Sequence, residues 1–171
     1  EDQVLIGKPT MPHFTYAFDF SLGYEGFTLS GLFYGTGERY MTLGNRYQTG
    51  EGKYLYYENQ LNYWRPDNTG ADFPRISISS GVNGNNNKAG STFWMRNASY
   101  LRLKDLQLSY DFKYKYLKRC DWLQTCRVNL SGSNLFTISG VSKFFDPETS
   151  STSGDGYPVQ RVYSIGVTIG F

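Results

Sequence analysis

Alternation of apolar and polar residues is the dominant pattern of the chain, and it predicts β-strands. From Phe14 to Tyr24 every even position is aromatic or leucine, whereas the odd positions carry small or polar side chains. Because successive strand residues point to opposite faces, this segment should form a strand with one apolar and one polar face. The same reasoning predicts strands near 14–24, 27–35, 99–112, 127–138 and 161–171.

The strand near 99–112 changes phase in its middle. Leu106, Leu108 and Tyr110 share one phase, but Leu101 and Leu103 fall in the opposite phase. Two explanations are open at this point. Either a β-bulge restores the faces, or the upstream half projects beyond a membrane.

The connections between these strands differ strongly in length. Glu25-Gly26 predicts a tight hairpin turn, whereas the segments near 37–95 and 140–158 are long, polar and rich in turn residues. Barrels of the outer membrane have short periplasmic turns and long extracellular loops. We therefore expect the two long segments to be extracellular loops and the C-terminus to be periplasmic.

The last predicted strand has the pattern expected of a strand that closes a membrane barrel. Its apolar positions share one face, and small or polar residues occupy the other face. An outer-membrane barrel needs a lipid face with an aromatic residue at the membrane boundary. The predicted barrel-closing residues are Tyr163, Ile165, Val167, Ile169 and Phe171.

Composition supports strands that face lipid on one side only. The 171 residues include 15 Tyr, 12 Phe and 3 Trp, yet the mean hydropathy is negative and no apolar run is long enough for a membrane-spanning helix. Lys and Arg outnumber Asp and Glu by only 17 to 15, so we expect no nucleic-acid partner.

Five strands are too few to close a barrel, and open edges in a membrane leave backbone groups unpaired. A complete eight-stranded barrel is the competing count, but residues 37–95 lack further alternating pairs of adequate length. The chain also opens without a signal-peptide pattern. We therefore expect a mature product, or a piece of one, whose remaining strands come from the same or a separate chain.

Several ordered motifs resemble those of one family. The stretch from Ser91 to Tyr110, which includes Ser99-Tyr-Leu-Arg-Leu-Lys-Asp105, resembles the SYLRLKN block of the SusC/RagA family of TonB-dependent outer-membrane transporters. Further blocks follow that family's order across nearly the whole chain. They are Tyr63-Trp-Arg-Pro-Asp-Asn68, Phe73-Pro-Arg75, Gly132-Ser-Asn-Leu-Phe136, Phe145-Asp-Pro-Glu148, Tyr157-Pro158 and the final Phe171.

The resemblance implies an all-β fold, an antiparallel transmembrane β-barrel segment that supplies about five C-terminal strands of a 22-stranded barrel. It implies an importer of oligosaccharides or peptides in the bacterial outer membrane, which is not an enzyme and has no cofactor. The implied partners are the remainder of the barrel and its plug, a SusD-like surface lipoprotein, and TonB, which would act through an N-terminal part that this chain lacks. Lipid and lipopolysaccharide would surround the barrel.

Two alternative functions remain open. The same segment could be a client of the machinery that assembles outer-membrane barrels, or the chain could be a soluble all-β binding protein. Catalytic and metal chemistry have little support, since His13 is the only histidine. Calcium binding by Asp146, Glu148 and Asp155 is a weaker reading than a rigid Asp-Pro turn.

The first long loop contains the candidate ligand-binding residues, because aromatic and cationic side chains alternate there. Flat amphipathic rings stack on sugars or anchor protein interfaces. The competing expectation, which ranks first, is that these rings pack the loop against itself. The candidates for contact with a ligand or with the lipoprotein lid are Tyr54, Tyr56, Tyr57, Tyr63 and Trp64.

Cys120 and Cys126 are the only two cysteines and lie close together in the sequence. In an oxidising periplasm a disulfide between them is plausible. Two free, buried thiols are nearly as plausible, so the sequence leaves both states open.

Overall fold

A computed structural model of the protein describes residues 7–48, 56–76, 89–149 and 151–171. The chain divides into two compact units. The sheet unit comprises Phe14–Gly37, Tyr100–Ile138 and Val159–Phe171, and the loop unit comprises Glu1–His13, Glu38–Ser99 and Ser139–Pro158.

The strands within the described residues confirm an all-β architecture of mostly antiparallel strands. The strands are β1 (Phe14–Tyr24), β2 (Phe27–Gly37), β3 (Tyr40–Thr42), β4 (Met95–Asn97), β5 (Tyr100–Asp111), β6 (Thr125–Ser139) and β7 (Val162–Gly170). Five strands join in one sheet with the order β1-β2-β5-β6-β7, and β3 pairs with β4 separately. The ranges of the five sheet strands agree with the alternation to within two residues at either end.

The β1–β2 hairpin has the tight turn that its sequence predicts. Glu25 and Gly26 both have positive φ, 44° and 85°, which matches the right-handed twist of the flanking strands. The register pairs Tyr24 with Phe27 and continues without a break to the other end of both strands.

One face of the sheet is apolar from β1 to β5, and it continues on β6 and β7. In the register, Phe18 faces Phe33, Leu29 faces Leu108, and Val128 faces Val167. Residues directly opposite each other in neighbouring strands share a face. The rings on this face also contact each other, as in the Phe20–Phe33 pair with centroids 6.2 Å apart.

A β-bulge accounts for the change of phase in β5. Leu32 pairs with Asp105, but the next β2 residue, Phe33, pairs with Leu103. Lys104 is therefore the extra residue, and because the bulge leaves it without a partner in β2, the upstream leucines of β5 stay on the apolar face. Of the two explanations that the sequence left open, the structure shows the bulge.

Glycines in β2 make room for the large rings of β1. A Cβ atom on Gly31 would lie 2.8 Å from the ring of Phe20, and one on Gly35 would lie 2.5 Å from the ring of Tyr16. Each ring thus lies across the glycine opposite it. Such aromatic cover compensates for the packing that a glycine in a strand lacks.

The second face of the sheet is polar and includes ordered charged groups. Arg102 is almost completely buried there, and its Nε donates to Thr137 Oγ1 at 2.8 Å. Nearer the end of the strands, Arg127 Nη2 lies 3.7 Å from Asp111 Oδ2. This face therefore offers hydrogen-bonding groups where the other offers hydrocarbon.

No protein layer covers the apolar face within the described residues. Phe18 is 61% exposed, Leu22 is 63% exposed and Ile165 is 74% exposed. Exposed apolar side chains that share one face mark a membrane or protein interaction surface. No helix in the described ranges is long and apolar enough to cross a membrane.

The loop unit has its own small hydrophobic core. It contains the β3–β4 pair, a short helix at Asn45–Gln48 and 3-10 turns at Glu58–Leu61 and Thr92–Trp94. Its buried side chains come from segments that are far apart in the sequence. They are Met41, Leu43, Tyr47, Phe73, Trp94, Ala98, Val141 and Phe145.

The apolar face gives a first prediction. Phe18→Arg places a charge on that face and should destabilise the inserted full-length protein by about 2 to 4 kcal/mol if the site is near the bilayer midplane. The measurement is unfolding of the barrel in lipid bilayers. Asp19→Asn, on the polar face one residue away, is the control and should change stability little; the opposite ranking would show that the faces are reversed.

Candidate functional site

The candidate site is an open groove of about 570 Å³ in the loop unit, a volume typical of small-molecule and peptide side-chain sites. Aromatic and apolar groups form most of its described walls. The lining residues are Trp64, Ala71, Phe73, Pro74, Arg75, Ala89, Ser91, Phe93 and Trp94.

Backbone contacts fix the wall of the groove that carries Trp64. The Trp64 N–H donates to the Phe73 carbonyl at 2.8 Å, and Tyr63 forms a parallel β-bridge with Phe73. Phe73 is buried in the core, whereas Trp64 remains 41% exposed. The indole of Trp64 is therefore available to a ligand while its backbone is held in place.

A second part of the groove lining is a pair of packed aromatic rings. Phe93 and Trp94 pack edge to face with centroids 4.8 Å apart. Trp94 is 2% exposed and Phe93 is 47% exposed, so one ring anchors the 3-10 turn and the other faces solvent. The guanidinium of Arg96 donates to the carbonyls of Phe93 and Met95, which fixes the turn further.

The groove can bind a flat or apolar group by stacking and can hydrogen-bond to it through Arg75 and Ser91. Stacking surfaces suit both sugar rings and aromatic or proline side chains. The groove contains no histidine, cysteine, aspartate or glutamate among its described lining residues.

Of the five loop residues predicted to contact a ligand or lid, one lines the groove. Trp64 does so, whereas Tyr63 lies against Arg65, whose guanidinium carbon is 5.2 Å from the ring centroid. Tyr56 lines a much smaller pocket beside Tyr47, and burial raises its pKa. Tyr54 lies outside the described residues.

Tyr57 packs inside the loop unit, as the competing expectation of self-packing requires. Its hydroxyl donates to the Ser153 carbonyl at 2.9 Å and accepts from Arg46 Nη1 at 3.3 Å. The neighbouring Tyr47 ring is 5.0 Å away. Burial, with a contribution from Tyr57, raises the pKa of Tyr47 to about 12, so this phenol stays neutral and structural.

A second, shallower concavity of about 410 Å³ lies on another part of the loop unit. Tyr57, Glu58, Asn59, Lys143 and Phe144 line it together with Gly154. Its rim carries both a cation and a carboxylate. We regard it as a surface depression of the core rather than a built site, because few of its groups converge.

Phe93 and Trp94 are the functional candidates that the loop-based reasoning missed. Both lie in the segment that precedes the SYLRLKN-like block, and Phe73 belongs to another family-like block. The density of aromatic residues in those blocks was the available signal. Their convergence with Trp64 depends on contacts between distant parts of the chain, which spacing does not reveal.

The apolar residues of β7 share one exposed face, in line with their alternation. Tyr163, Ile165, Val167 and Ile169 are each more than half exposed, and β7 pairs with β6 on one side. Phe171 lies just beyond the strand, stacked on Trp122 at 5.9 Å and 13°. The role of this strand in closing a barrel stays a prediction.

Cys120 and Cys126 are both free thiols and partly buried. Cys126 lies in β6, and Cys120 lies in the connection before it. The disulfide between Cys120 and Cys126 stays a prediction.

No group of three or more His, Cys, Asp or Glu side chains placed to hold a metal occurs in the described part of the chain. Two of the weak calcium candidates have other partners. Asp146 Oδ1 accepts from the Glu148 N–H at 2.9 Å. Asp155 Oδ1 accepts from the Ser151 hydroxyl at 2.5 Å, a bond that lowers the pKa of the Asp155 carboxyl.

The sheet and loop units together define an all-β segment of mostly antiparallel strands. No protein-family model and no curated protein matches the chain. Solved structures do match. Structures of the RagAB peptide importer in the closed-closed and open-open states are 29% and 28% identical, with TM-scores of 0.73 and 0.70, and a structure of the RagAB peptide transporter is 27% identical with a TM-score of 0.71.

These matches confirm the resemblance to SusC/RagA family transporters that the sequence motifs indicate. Each covers 97% of this chain and 18% of the matched chain. The chain thus spans less than one fifth of the length of the structures it resembles. Those structures are of transporters and not of enzymes.

The division between buried and exposed rings gives a second prediction. Trp94→Ala removes a buried core ring and should cost the loop unit about 3 to 5 kcal/mol, measured as faster proteolysis of the loops in the intact full-length protein.

The matched control is Trp64→Ala, which removes a ring of the same type that is 41% exposed. We expect a much smaller effect on proteolysis from this variant. Equal cleavage of the two variants would contradict the assignment of Trp94 to the core and Trp64 to the groove.

Proposed function

We propose that this chain forms part of the wall and outer loops of a TonB-dependent nutrient importer in the bacterial outer membrane. The single observation that carries the proposal is the two-faced sheet. One face exposes apolar side chains such as Phe18 and Ile165 without protein cover, and the other face is polar. Lipid on one side and a water-filled lumen on the other satisfy both faces.

The remaining parts of the importer follow from the same proposal. The outer edges of β1 and β7 have no partner strand in the described sheet, and unpaired edges are costly in a membrane. We infer that further strands complete a barrel, of about 22 strands in the family, which contains a plug. Lipid and lipopolysaccharide would contact its outer surface.

The proposed protein partners are a SusD-like surface lipoprotein and TonB. The matched structures are RagAB structures, and their likeness to this chain supports a lid of the RagB type over the barrel. TonB would engage a plug or N-terminal region outside the present chain. The folded loop unit, with its own core, is the part of this chain that we place nearest the lid.

We propose an oligomeric nutrient, a peptide or an oligosaccharide, as the substrate. The matched structures are of a peptide importer or transporter, which favours a peptide as the first class to test. The aromatic groove at Trp64 and Phe93 is compatible with either class. We assign it a role in contact with substrate or lid.

The test of this function compares a strain lacking the full-length protein with the complemented strain. We expect the deletion strain to lose growth on, and uptake of, either an oligopeptide mixture or an oligosaccharide mixture, and complementation to restore it. Free amino acids and monosaccharides serve as controls that need no such importer. Unchanged uptake of both mixtures, with the protein present in the outer membrane of the parent, would refute the proposal.

The topology of the loops gives a further prediction. A short tag at Thr152, in the second long loop, should be labelled by antibody on intact cells, whereas a tag at Lys115 should require permeabilisation. Both positions lie outside the long strands, so the tags should not disturb the sheet. Labelling of Lys115 alone on intact cells would show that the barrel is inserted in the opposite direction. The first-loop position Asn86 lies outside the described residues, although we expect a tag there to be reachable as well.

A further inference from the structure

The connection between β5 and β6, residues 112–124, concentrates aromatic and cationic side chains that the import function does not use. The segment contains four cationic side chains and one carboxylate, that of Asp121, so its net charge is +3. The cationic side chains are Lys113, Lys115, Lys118 and Arg119, and the exposed rings are Tyr114, Tyr116 and Trp122.

One of the four cationic side chains, Lys113, stabilises the connection itself. The Lys113 ammonium donates to the carbonyl of Cys120 at 3.1 Å and to the carbonyl of Leu123. Its backbone N–H donates to Asp111 Oδ1 at 2.9 Å. Lys113 therefore holds the connection in shape, while Lys115, Lys118 and Arg119 remain exposed.

The connection is attached to the end of the sheet. The Asp111 N–H donates to the Gly26 carbonyl at 2.9 Å, and the Gln124 N–H donates to the Gly170 carbonyl at 2.8 Å. Tyr114 lies close over the hairpin turn, with its Cβ 3.0 Å from where a Cβ of Gly26 would lie. These contacts hold the connection, and with it the cationic side chains, at the end of the sheet.

The rings of the connection continue the apolar face of the sheet. Tyr110, at the end of that face, lies 4.4 Å from Phe27 and 6.3 Å from Tyr116, measured between ring centroids. Aromatic residues with this placement mark the boundary between hydrocarbon and headgroups. The Lys118 ammonium is 5.3 Å from the ring centroid of Tyr114, so cation and ring occupy the same layer.

We propose that this connection binds the phosphate groups of anionic glycerophospholipids. The proposal rests on the proposed function, because the topology given there places residues 112–124 in the leaflet that faces the periplasm. That leaflet is built of phospholipids, whereas lipopolysaccharide occupies the outer leaflet. Cations beside the edge of an apolar surface attract anionic headgroups, and each exposed lysine or arginine adds to the affinity.

The experiment measures lipid binding to the purified full-length transporter by native mass spectrometry. Phosphatidylglycerol is titrated in nonionic detergent, and phosphatidylcholine and lipid A are titrated in parallel. In the triple variant Lys115→Gln, Lys118→Gln, Arg119→Gln we expect phosphatidylglycerol to bind at least about tenfold more weakly, with little change for phosphatidylcholine.

Two control variants separate charge at this site from charge in general. The triple variant Lys115→Arg, Lys118→Arg, Arg119→Lys keeps the charge and should bind phosphatidylglycerol like the parent. A second triple variant, Lys8→Gln, Lys143→Gln, Arg161→Gln, removes the same charge from exposed positions elsewhere, and it should also bind like the parent.

Equal binding of phosphatidylglycerol by the parent and the first triple variant would overturn the proposal. Loss of lipid A binding with retained phosphatidylglycerol binding would overturn it as well, because the connection would then face the outer leaflet. Failure of the importer proposal gives a different result. It would appear beforehand as the absence of a heat-modifiable barrel from outer-membrane fractions, or as uptake that does not depend on the protein.

Discussion

The uncovered apolar face of the sheet is the constraint on which the rest of the structure depends. A soluble sheet covers such a face with helices or with a second sheet, but the five strands of this sheet carry rings and branched side chains without that cover in the described residues. Hydrocarbon suits this face, and water suits the polar face opposite. A boundary between hydrocarbon and water is therefore the position that we propose for the sheet.

The loop unit is stabilised in a different way from the sheet, by a buried cluster of its own. Long connections at a membrane surface gain no stability from lipid, so an ordered loop needs contacts of its own. The buried cluster around Trp94 and Val141 provides them, because it joins segments from both long loops. The aromatic residues of these loops are thus divided between the core and the groove, and this division decides which rings remain for recognition.

The strands were predictable from the sequence because period-two alternation is a local signal. Phe18 and Asp19 fall on opposite faces whatever the rest of the protein does, and the change of phase before Leu106 identified an irregularity. The groove was less predictable. Trp64 was a candidate by residue type, but Phe93 lines the same groove because Phe73 and Trp94, which are distant in the sequence, belong to one buried cluster. Side-chain spacing along the chain does not specify such contacts.

The cysteines illustrate a similar limit. Cys126 lies six residues after Cys120, a spacing that permits a disulfide. The path of the connection decides whether the two sulfur atoms meet. That path is fixed by hydrogen bonds from Lys113 to two carbonyl groups. A lysine that appears in the sequence as one of several surface charges is in fact the internal support of the turn.

The bulge at Lys104 has a consequence for the curvature of the wall. Without Lys104, the residues from Leu101 to Tyr110 would alternate regularly, and each would still point to its present face. The extra residue is thus not needed to sort apolar from polar side chains. A bulge does bend a strand and increase its local twist, and wide barrels need strands that bend in a consistent direction. In the barrel that we propose, one inserted lysine in β5 would therefore give the strand a bend that unbroken alternation would not provide.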